Sequence, residues 1–304
     1  MVKNNARNQL QATILKIEGA YAPSTIRAYR ANFIRFIEYC ESMKKSPLPA
    51  NPIEVASYIV HLMNSGLKSA SIRIAIASIS SIHKLNSFDD PTLHPDVKIE
   101  LKRMHRKLGR LSKQSFGITK PILEKMINTT RDDLHGLRDK ALILIAYDSL
   151  CRRTELTSIK IEDIIRDEKN SPSRIRLRRS KTDQEAIGKI IGINATTQSA
   201  LNNWIDAANI ADGFLFRGIK NNGQICESLN PGQINRIYKK MAIATQIPKE
   251  QISNISGHSF RVGAAQDLVR IGASLPVLMN RGRWSKPDTA MRYAEALELQ
   301  KTNI

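Results

Sequence analysis

The chain has 304 residues, and its 47 Lys and Arg against 28 Asp and Glu leave a net charge of +19 at pH 7, which favours a polyanionic partner. Hydrophobic residues make up 41% of the chain, enough to build real cores, and the length favours two domains over one. The longest apolar runs, such as ALILIAY at 141–147, are too short to span a membrane, and the first residues lack the apolar stretch of a secretory signal.

The first part of the chain is predicted to be helical. Residues 51–66 begin with Asn-Pro and close on Gly66, and residues 69–85 are rich in small side chains that pack closely. Residues 23–43 form a helix behind a Ser24 cap, with one apolar face made of Ile26, Tyr29, Phe33, Phe36 and Cys40.

A strongly basic helix is predicted over residues 96–113. Only Asp96 and Glu100 oppose its cations, whereas a solvated helix face would mix the two signs. The charge is not confined to this helix, since residues 1–113 carry a net +10 and the remainder a net +9. A nucleic acid contacted by both halves fits this distribution better than a membrane touched by one patch. The cations of the segment are Lys98, Lys102, Arg103, Arg106, Lys107, Arg110 and Lys113.

A polar break, SKQSFG at 112–117, is expected to separate two domains. Helical patterns continue beyond it over 136–164 and 230–246, the second again starting with Asn-Pro. Between them, residues 174–182 alternate apolar and basic side chains, and residues 186–193 form an apolar return strand. This part of the chain is therefore predicted to be mostly helical with one β-hairpin.

Two short motifs carry candidate chemistry. In HSFR, His258 and Arg261 stand at the start of a helix, where free backbone amides favour an anion. In LCRRTEL, Arg152 lies three residues before Glu155, at the end of an apolar helix, and Arg153 competes for the same role. Taken alone, HSFR is no more than a common surface pair, and the second motif is an ordinary ion pair.

Three further residues complete a recognisable order. Lys181 is predicted at the tip of the hairpin or at a strand end, and Trp284 and Tyr293 follow Arg261 by 23 and 32 residues. This order and spacing of residues resembles the tyrosine recombinase (phage integrase) family. The order is Arg, Lys, His-x-x-Arg, Trp and Tyr. The segment at 256–297 is most similar to the Cre branch, which has Trp where most relatives have a second His.

The resemblance implies a mainly α fold with a small antiparallel β-sheet, arranged as a C-shaped DNA clamp. It implies a helical, SAM-like core-binding domain over 1–112 and an α+β catalytic integrase domain over 113–304. The partners it implies are double-stranded DNA with a specific recombination site and three more copies of the chain, in a homotetramer. We expect a cytoplasmic protein of bacterial, phage or plasmid origin, acting in DNA integration or on a mobile element.

The resemblance also implies a mechanism. Tyr293 would attack a backbone phosphate and form a 3′-phosphotyrosine, which conserves the phosphodiester energy so that rejoining needs no ATP. Because an ordinary phenol has a pKa near 10, a base must help, and His258 is the candidate. Lys181 would protonate the leaving 5′-oxygen. The groups stabilising the transition state would be Arg152, Arg261, His258 and the Trp284 indole N–H, with Glu155 supporting them.

No metal or cofactor is expected. The cysteines Cys40, Cys151 and Cys226 are odd in number and far apart, so they predict neither a disulfide framework nor a metal knuckle, and they favour a reducing compartment. Two departures from the family pattern stand out. Only eleven residues follow Tyr293, fewer than the terminal helix with which Cre-like enzymes dock on a neighbour. Arg153 stands where relatives usually carry an apolar residue.

Three other functions are alternatives to the one that the resemblance implies. A type IB topoisomerase uses the same chemistry on one duplex, as a monomer with little sequence specificity. A DNA-binding or architectural protein without catalysis is opposed by a competent side chain at every catalytic position. A metal-dependent nuclease or transposase is opposed by the missing acidic triad.

Overall fold

Two compact units make up the chain, residues 1–113 and 114–304. The computed structural model describes residues 2–110, 114–167, 172–178 and 188–293. Among the helices of these ranges, none combines the length and the apolar content that crossing a bilayer requires. The prediction of a mainly helical chain with a small antiparallel sheet is confirmed.

The first unit is built from five helices within the described residues. Its core is lined by large side chains from several helices, among them Phe33, Phe36, Tyr58 and Ile79. The predicted apolar face of the second helix lies against this core, with Ile26 and Tyr29 at its edge. The helices are α1 Val2–Ile17, α2 Pro23–Ser42, α3 Pro52–Asn64, α4 Ser69–Leu85 and α5 Pro95–Leu108.

Two details of this unit differ from the sequence-based expectation. Helix α2 starts at Pro23 behind Ala22, without a side-chain cap, so the predicted Ser24 cap was wrong: proline occupies the first helical position, where its missing N–H loses nothing. Helix α1 was not predicted at all, although Ala6, Leu10, Ile14 and Ile17 recur every three or four residues and are buried.

The basic helix α5 is shorter than predicted. It ends at Leu108 because Gly109 adopts a left-handed conformation with a φ of 72°, which glycine accepts readily. Arg110 therefore lies beyond the helix, and Lys113 falls outside the described residues. Val97 and Met104 anchor the buried face of α5.

The second unit surrounds α7, whose segment from Ala141 to Ala146 is buried on all sides. Its helices are α6 Lys120–Asn128, α7 Leu134–Ser149, α8 Arg153–Ser158, α9 Ala195–Ala207, α10 Pro231–Ala244, α11 Lys249–Ser253, α12 Ser259–Arg270 and α13 Leu275–Gly282. A further helical stretch occupies residues 287–293. The strands are β1 Ile164–Arg166, β2 Pro172–Leu177 and β3 Lys189–Gly192, antiparallel in the order β1-β2-β3.

The predicted hairpin is confirmed in the pairing of β2 with β3. Ile175 pairs with Ile191, and both are buried, while Arg174 and Arg176 are exposed, as the alternation indicated. Strand β1 was not predicted because it has only three residues. Residues 179–187, which include the predicted position of Lys181, lie outside the described residues.

Residues 136–164 do not form one continuous helix. Leu150 ends α7 in a left-handed conformation, with a φ of 50°, and α8 starts three residues later. Arg152 is therefore not at the end of the apolar helix, as expected, but caps the start of the next helix. This turn exposes the Arg152 side chain to the site described below.

Candidate active site

Arg152 is the N-cap residue of α8, and the Glu155 carboxylate accepts two hydrogen bonds from it. The Arg152 backbone N–H donates to Glu155 Oε2 over 2.9 Å, and its guanidinium Nη1 donates to Oε1 over 2.6 Å. The Glu155 side chain is buried, whereas that of Arg152 keeps 18% of its surface exposed. The predicted pair thus exists, with the carboxylate inside and the guanidinium partly open to solvent.

Glu155 is held ionised by its surroundings. Burial by itself would raise the pKa of this carboxyl. The Arg152 backbone N–H and the guanidinium groups of Arg283 and Arg152 outweigh burial, and the pKa of Glu155 is lowered. The carboxylate can therefore accept hydrogen bonds from both guanidinium groups at neutral pH.

Arg261 is buried at the start of α12, with 3% of its surface exposed. Its Nη1 donates to the Leu150 carbonyl over 2.7 Å, and its Nη2 donates to the Gly282 carbonyl. Burial, followed by the nearby charge of Arg152, lowers the pKa of Arg261 to about 10, so the group stays charged at pH 7. Two backbone carbonyls from distant segments thus fix this guanidinium in place.

Trp284 contacts both Arg261 and Tyr293. The centre of its ring is 4.7 Å from the Arg261 guanidinium carbon, and the Tyr293 ring stacks on it with centroids 4.8 Å apart and planes 27° apart. Gly282 makes room for this ring, because a Cβ there would collide with the indole. The indole therefore links the Tyr293 ring to the buried cation, by aromatic stacking and a cation–π contact.

His258 occupies the residue before α12, and its side chain keeps access to solvent. The protein packed around it and the positive charges of Arg261, Arg152 and Arg153 lower the pKa of its imidazole. His258 is therefore within range of the charges of these three arginine groups. The Ser259 hydroxyl at the start of α12 is buried and accepts the Ser256 backbone N–H over 2.9 Å.

Arg283 belongs to this site and was not predicted. Its guanidinium donates to Glu155 Oε2 over 2.8 Å and to the Ser149 carbonyl over 2.8 Å. The sequence offered only a weak signal, an arginine between Gly282 and Trp284, because its partners lie more than 120 residues away.

Of the six predicted catalytic residues, five come together here: Arg152, His258, Arg261, Trp284 and Tyr293. The sixth, Lys181, lies outside the described residues. A different lysine, Lys189 on β3, donates to the Asn280 carbonyl over 2.9 Å, and burial and then the charge of Arg283 lower its pKa. Within the described ranges, no three His, Cys, Asp or Glu side chains form a cluster suited to a metal ion.

The cations predicted to contact DNA lie on the first unit and are exposed. Arg103 forms an ion pair with Glu100, three residues before it on α5. The others on the helix, together with Arg110 beyond its end, project into solvent: Lys98, Lys102, Arg106 and Lys107. A surface dominated by one sign of charge suits contact with phosphates.

Comparison with known families agrees with this architecture. The sequence model of the phage integrase family matches residues 118–299, and that of the phage integrase N-terminal SAM-like domain matches residues 12–86. The fold is that of the tyrosine recombinases. The chain belongs to the phage integrase family.

Relatives and solved structures cover most of the chain. It is 24% identical to recombinase cre of Escherichia phage P1, covering 86% of this chain and 80% of the relative. It is 26% identical to the integrase/recombinase xerD homolog of Selenomonas ruminantium, covering 99% and 90%.

Two solved structures share the fold. XerH site-specific recombinase bound to palindromic difH substrate has a TM-score of 0.66 at 18% identity, covering 91% of this chain and 78% of that one. The Tn1549 transposon integrase in complex with a circular intermediate DNA has a TM-score of 0.62 at 15% identity, covering 97% and 99%.

Proposed function

We propose that this chain is a site-specific DNA recombinase that cleaves and rejoins duplex DNA through a 3′-phosphotyrosine intermediate. The observation that carries the proposal is the stack of Tyr293 on Trp284 and of Trp284 on Arg261, beside the Arg152–Glu155 pair. A nucleophile candidate and two guanidinium groups are thus grouped around one position, which suits a phosphate and not a neutral substrate.

The proposed reaction begins with attack by the Tyr293 phenol oxygen on a backbone phosphorus. His258 takes the phenol proton, and its lowered pKa keeps the imidazole neutral and able to accept it at pH 7. The bond from phosphorus to the 5′-oxygen breaks, and Lys181 donates a proton to that oxygen. The reverse steps, with a 5′-hydroxyl from another strand, rejoin the DNA and release Tyr293.

Arg152 and Arg261 would stabilise the transition state. Negative charge collects on the two non-bridging phosphate oxygens, and a guanidinium presents paired N–H donors that match such oxygens. Two of the five N–H groups of Arg261 engage backbone carbonyls, so donors remain for the phosphate. The His258 and Trp284 ring N–H groups would add to them, and Glu155 positions Arg152.

DNA would be held by non-specific contacts as well as by the site. The exposed cations of α5 and Arg110 would contact phosphates and set affinity without reading the sequence. We assign residues 1–112 to core binding and residues 113–304 to catalysis. Pairing two sites and exchanging four strands calls for four active sites, hence a homotetramer on DNA, working in the cytoplasm of a bacterial host.

The test needs a target sequence, which selection of bound duplexes from a random pool supplies. A selected duplex with a nick beside the cleavage position loses its short 5′-hydroxyl fragment, so any covalent adduct accumulates. We expect wild-type protein to form an adduct that survives detergent and maps to Tyr293. Tyr293→Phe should bind the duplex normally and form none, while Tyr21→Phe, at an exposed tyrosine of the first unit, should react as wild type.

The same materials separate the alternatives. A plasmid without the selected sequence should not be relaxed, and one with two copies should yield recombined products. Relaxation of any plasmid would support a topoisomerase-like activity instead. An adduct formed by Tyr293→Phe, or one mapped to another tyrosine, would overturn the proposal.

A further inference from the structure

Arg283 has a backbone conformation and a degree of burial that are unusual for an arginine. It follows α13 in a left-handed conformation, with φ and ψ of 53° and 49°, where glycine is favoured. Its side chain is only 8% exposed, although arginine is seldom buried without partners. The fold could turn here with a glycine, so the arginine side chain itself requires an explanation.

The contacts of Arg283 supply that explanation. Its Nη2 donates to Glu155 Oε2 over 2.8 Å, and the same carboxylate accepts the guanidinium of Arg152. Nη2 also donates to the Leu150 carbonyl over 3.3 Å, and this oxygen accepts Nη1 of Arg261. Arg283 thus shares one acceptor with each of the two arginines of the site.

A third contact of Arg283 is with the turn between α7 and α8, which leads to Arg152. Nη1 donates to the Ser149 carbonyl over 2.8 Å, at the last residue of α7. The next residue in the chain after Arg283 is Trp284, on which Tyr293 stacks. One side chain therefore joins the segment bearing the aromatic pair to the segment bearing Arg152 and Glu155.

We infer that Arg283 is a positioning residue for cleavage, which holds Arg152 and Arg261 at a fixed separation by sharing Glu155 with one and the Leu150 carbonyl with the other. This inference rests on the proposed function. A planar guanidinium suits the role because its fork reaches several acceptors at once, whereas an ammonium is a compact charge. Arg283 does not contact DNA in this assignment, since its Nη1 and Nη2 donate to protein acceptors and its Nε is buried without a hydrogen-bond partner among the described residues.

The experiment measures affinity and chemistry separately. Arg283→Gly removes the side chain and suits the left-handed turn, and Arg281→Ala removes an exposed arginine two residues earlier as a matched control. On the selected nicked duplex, we expect Arg283→Gly to lower the single-turnover rate of adduct formation by about 100-fold, as for misplaced catalytic groups, with the dissociation constant for DNA almost unchanged. Arg281→Ala should keep the wild-type rate.

A double-mutant cycle with Glu155→Gln tests the shared acceptor. If Arg283 acts largely through Glu155, the double variant should lose much less of the adduct-formation rate than the two single fold-losses multiplied together. Arg283→Lys restores the charge without the fork and should recover only part of the rate. Thermal unfolding of each variant shows whether it folds. If Arg283→Gly does not fold, the rates of Arg283→Lys and Glu155→Gln, alone and combined, test the inference instead.

Three results would overturn the inference. They are a wild-type rate in Arg283→Gly, full recovery in Arg283→Lys, and losses that multiply independently in the cycle. Each leaves the proposed function standing, because the wild-type adduct at Tyr293 is then still observed. Failure of the wild type to form any adduct would overturn the proposed function and this inference together.

Discussion

The phenol ring of Tyr293 stacks on the indole of Trp284, with ring centroids 4.8 Å apart. The indole also contacts the buried guanidinium of Arg261, whose carbon is 4.7 Å from the ring centre. The position of the candidate nucleophile is therefore coupled through one aromatic ring to a group that would bind the phosphate, and the indole has a packing role as well as its N–H.

Trp284→Phe and Trp284→Ala separate these two roles. Phe keeps an aromatic surface under Tyr293 but has no N–H, whereas Ala removes both. Because Trp284 is 8% exposed, we expect Trp284→Ala to lower the free energy of unfolding by about 3–5 kcal/mol and Trp284→Phe by clearly less. Urea denaturation of the free protein measures the free energy of unfolding. Equal losses of stability in both variants would mean that the stacking of Tyr293 on Trp284 does not stabilise the protein.

The two adjacent arginines should differ sharply in cleavage. Arg152 is tied to Glu155 inside the site, while Arg153 is exposed. Arg152→Ala should slow single-turnover cleavage by about 100- to 1,000-fold with little loss of DNA affinity, as for other transition-state donors. Arg153→Ala is the matched control and should cleave at close to the wild-type rate. The opposite pattern would mean that Arg153 is the phosphate ligand.

Cleavage should depend on the protonation of His258. Burial of the ring and then the positive charges of Arg261, Arg152 and Arg153 lower its pKa below the ordinary value of about 6.5. A neutral imidazole is needed as the base, so the rate should rise with pH. The midpoint of this rise should lie below about 6.5, and the rate should level off at higher pH. Glu155 should stay ionised through this range, since its pKa is lowered too.

The pH profile of single-turnover cleavage between pH 5 and 8, with saturating protein, tests this expectation. His258→Gln keeps a polar side chain without a titrating ring, so its slower rate should lose the rise over this range. A rise that persists unchanged in His258→Gln would assign it to another group.

A substrate with an altered leaving group can show which of Lys181 and Lys189 is the general acid. Replacing the bridging 5′-oxygen of the scissile phosphate with sulfur creates a leaving thiolate that needs no proton. If Lys181 is the general acid, Lys181→Ala should cleave the oxygen substrate slowly and the sulfur substrate at nearly the wild-type rate. Lys189→Ala, which removes the contact with Asn280, should show no such selective recovery. Recovery confined to Lys189→Ala would reassign the acid.

The basic surface of α5 should control affinity and not chemistry. Each phosphate neutralised contributes about 0.9 to the slope of log affinity against log salt, so Lys102→Ala/Arg106→Ala should reduce the slope by about 1.8. The cleavage rate at saturating protein should hold, and Lys16→Ala, at an exposed lysine on α1, should leave the slope unchanged. An unchanged slope in the double variant would make α5 an ordinary solvated face.

Much of this molecule follows from local patterns in the sequence. The repeat of Phe33, Phe36 and Cys40 predicts α2 because burying one face of a helix requires that spacing. The alternation around Ile175 predicts the hairpin for the corresponding reason in a strand. Arg152 and the HSFR motif indicate phosphate chemistry only together with Lys181, Trp284 and Tyr293, through the resemblance of that order to the tyrosine recombinase family.

The tertiary structure decided how those charges are held. The left-handed turn at Leu150 ends α7 and makes Arg152 a cap, and no residue-by-residue propensity of leucine predicts it. Arg283 acts through Ser149, Leu150 and Glu155, which lie more than 120 residues earlier in the chain. Hydrogen bonds between such distant segments leave no periodic trace in the sequence, because they depend on where two turns meet in space and not on either turn alone.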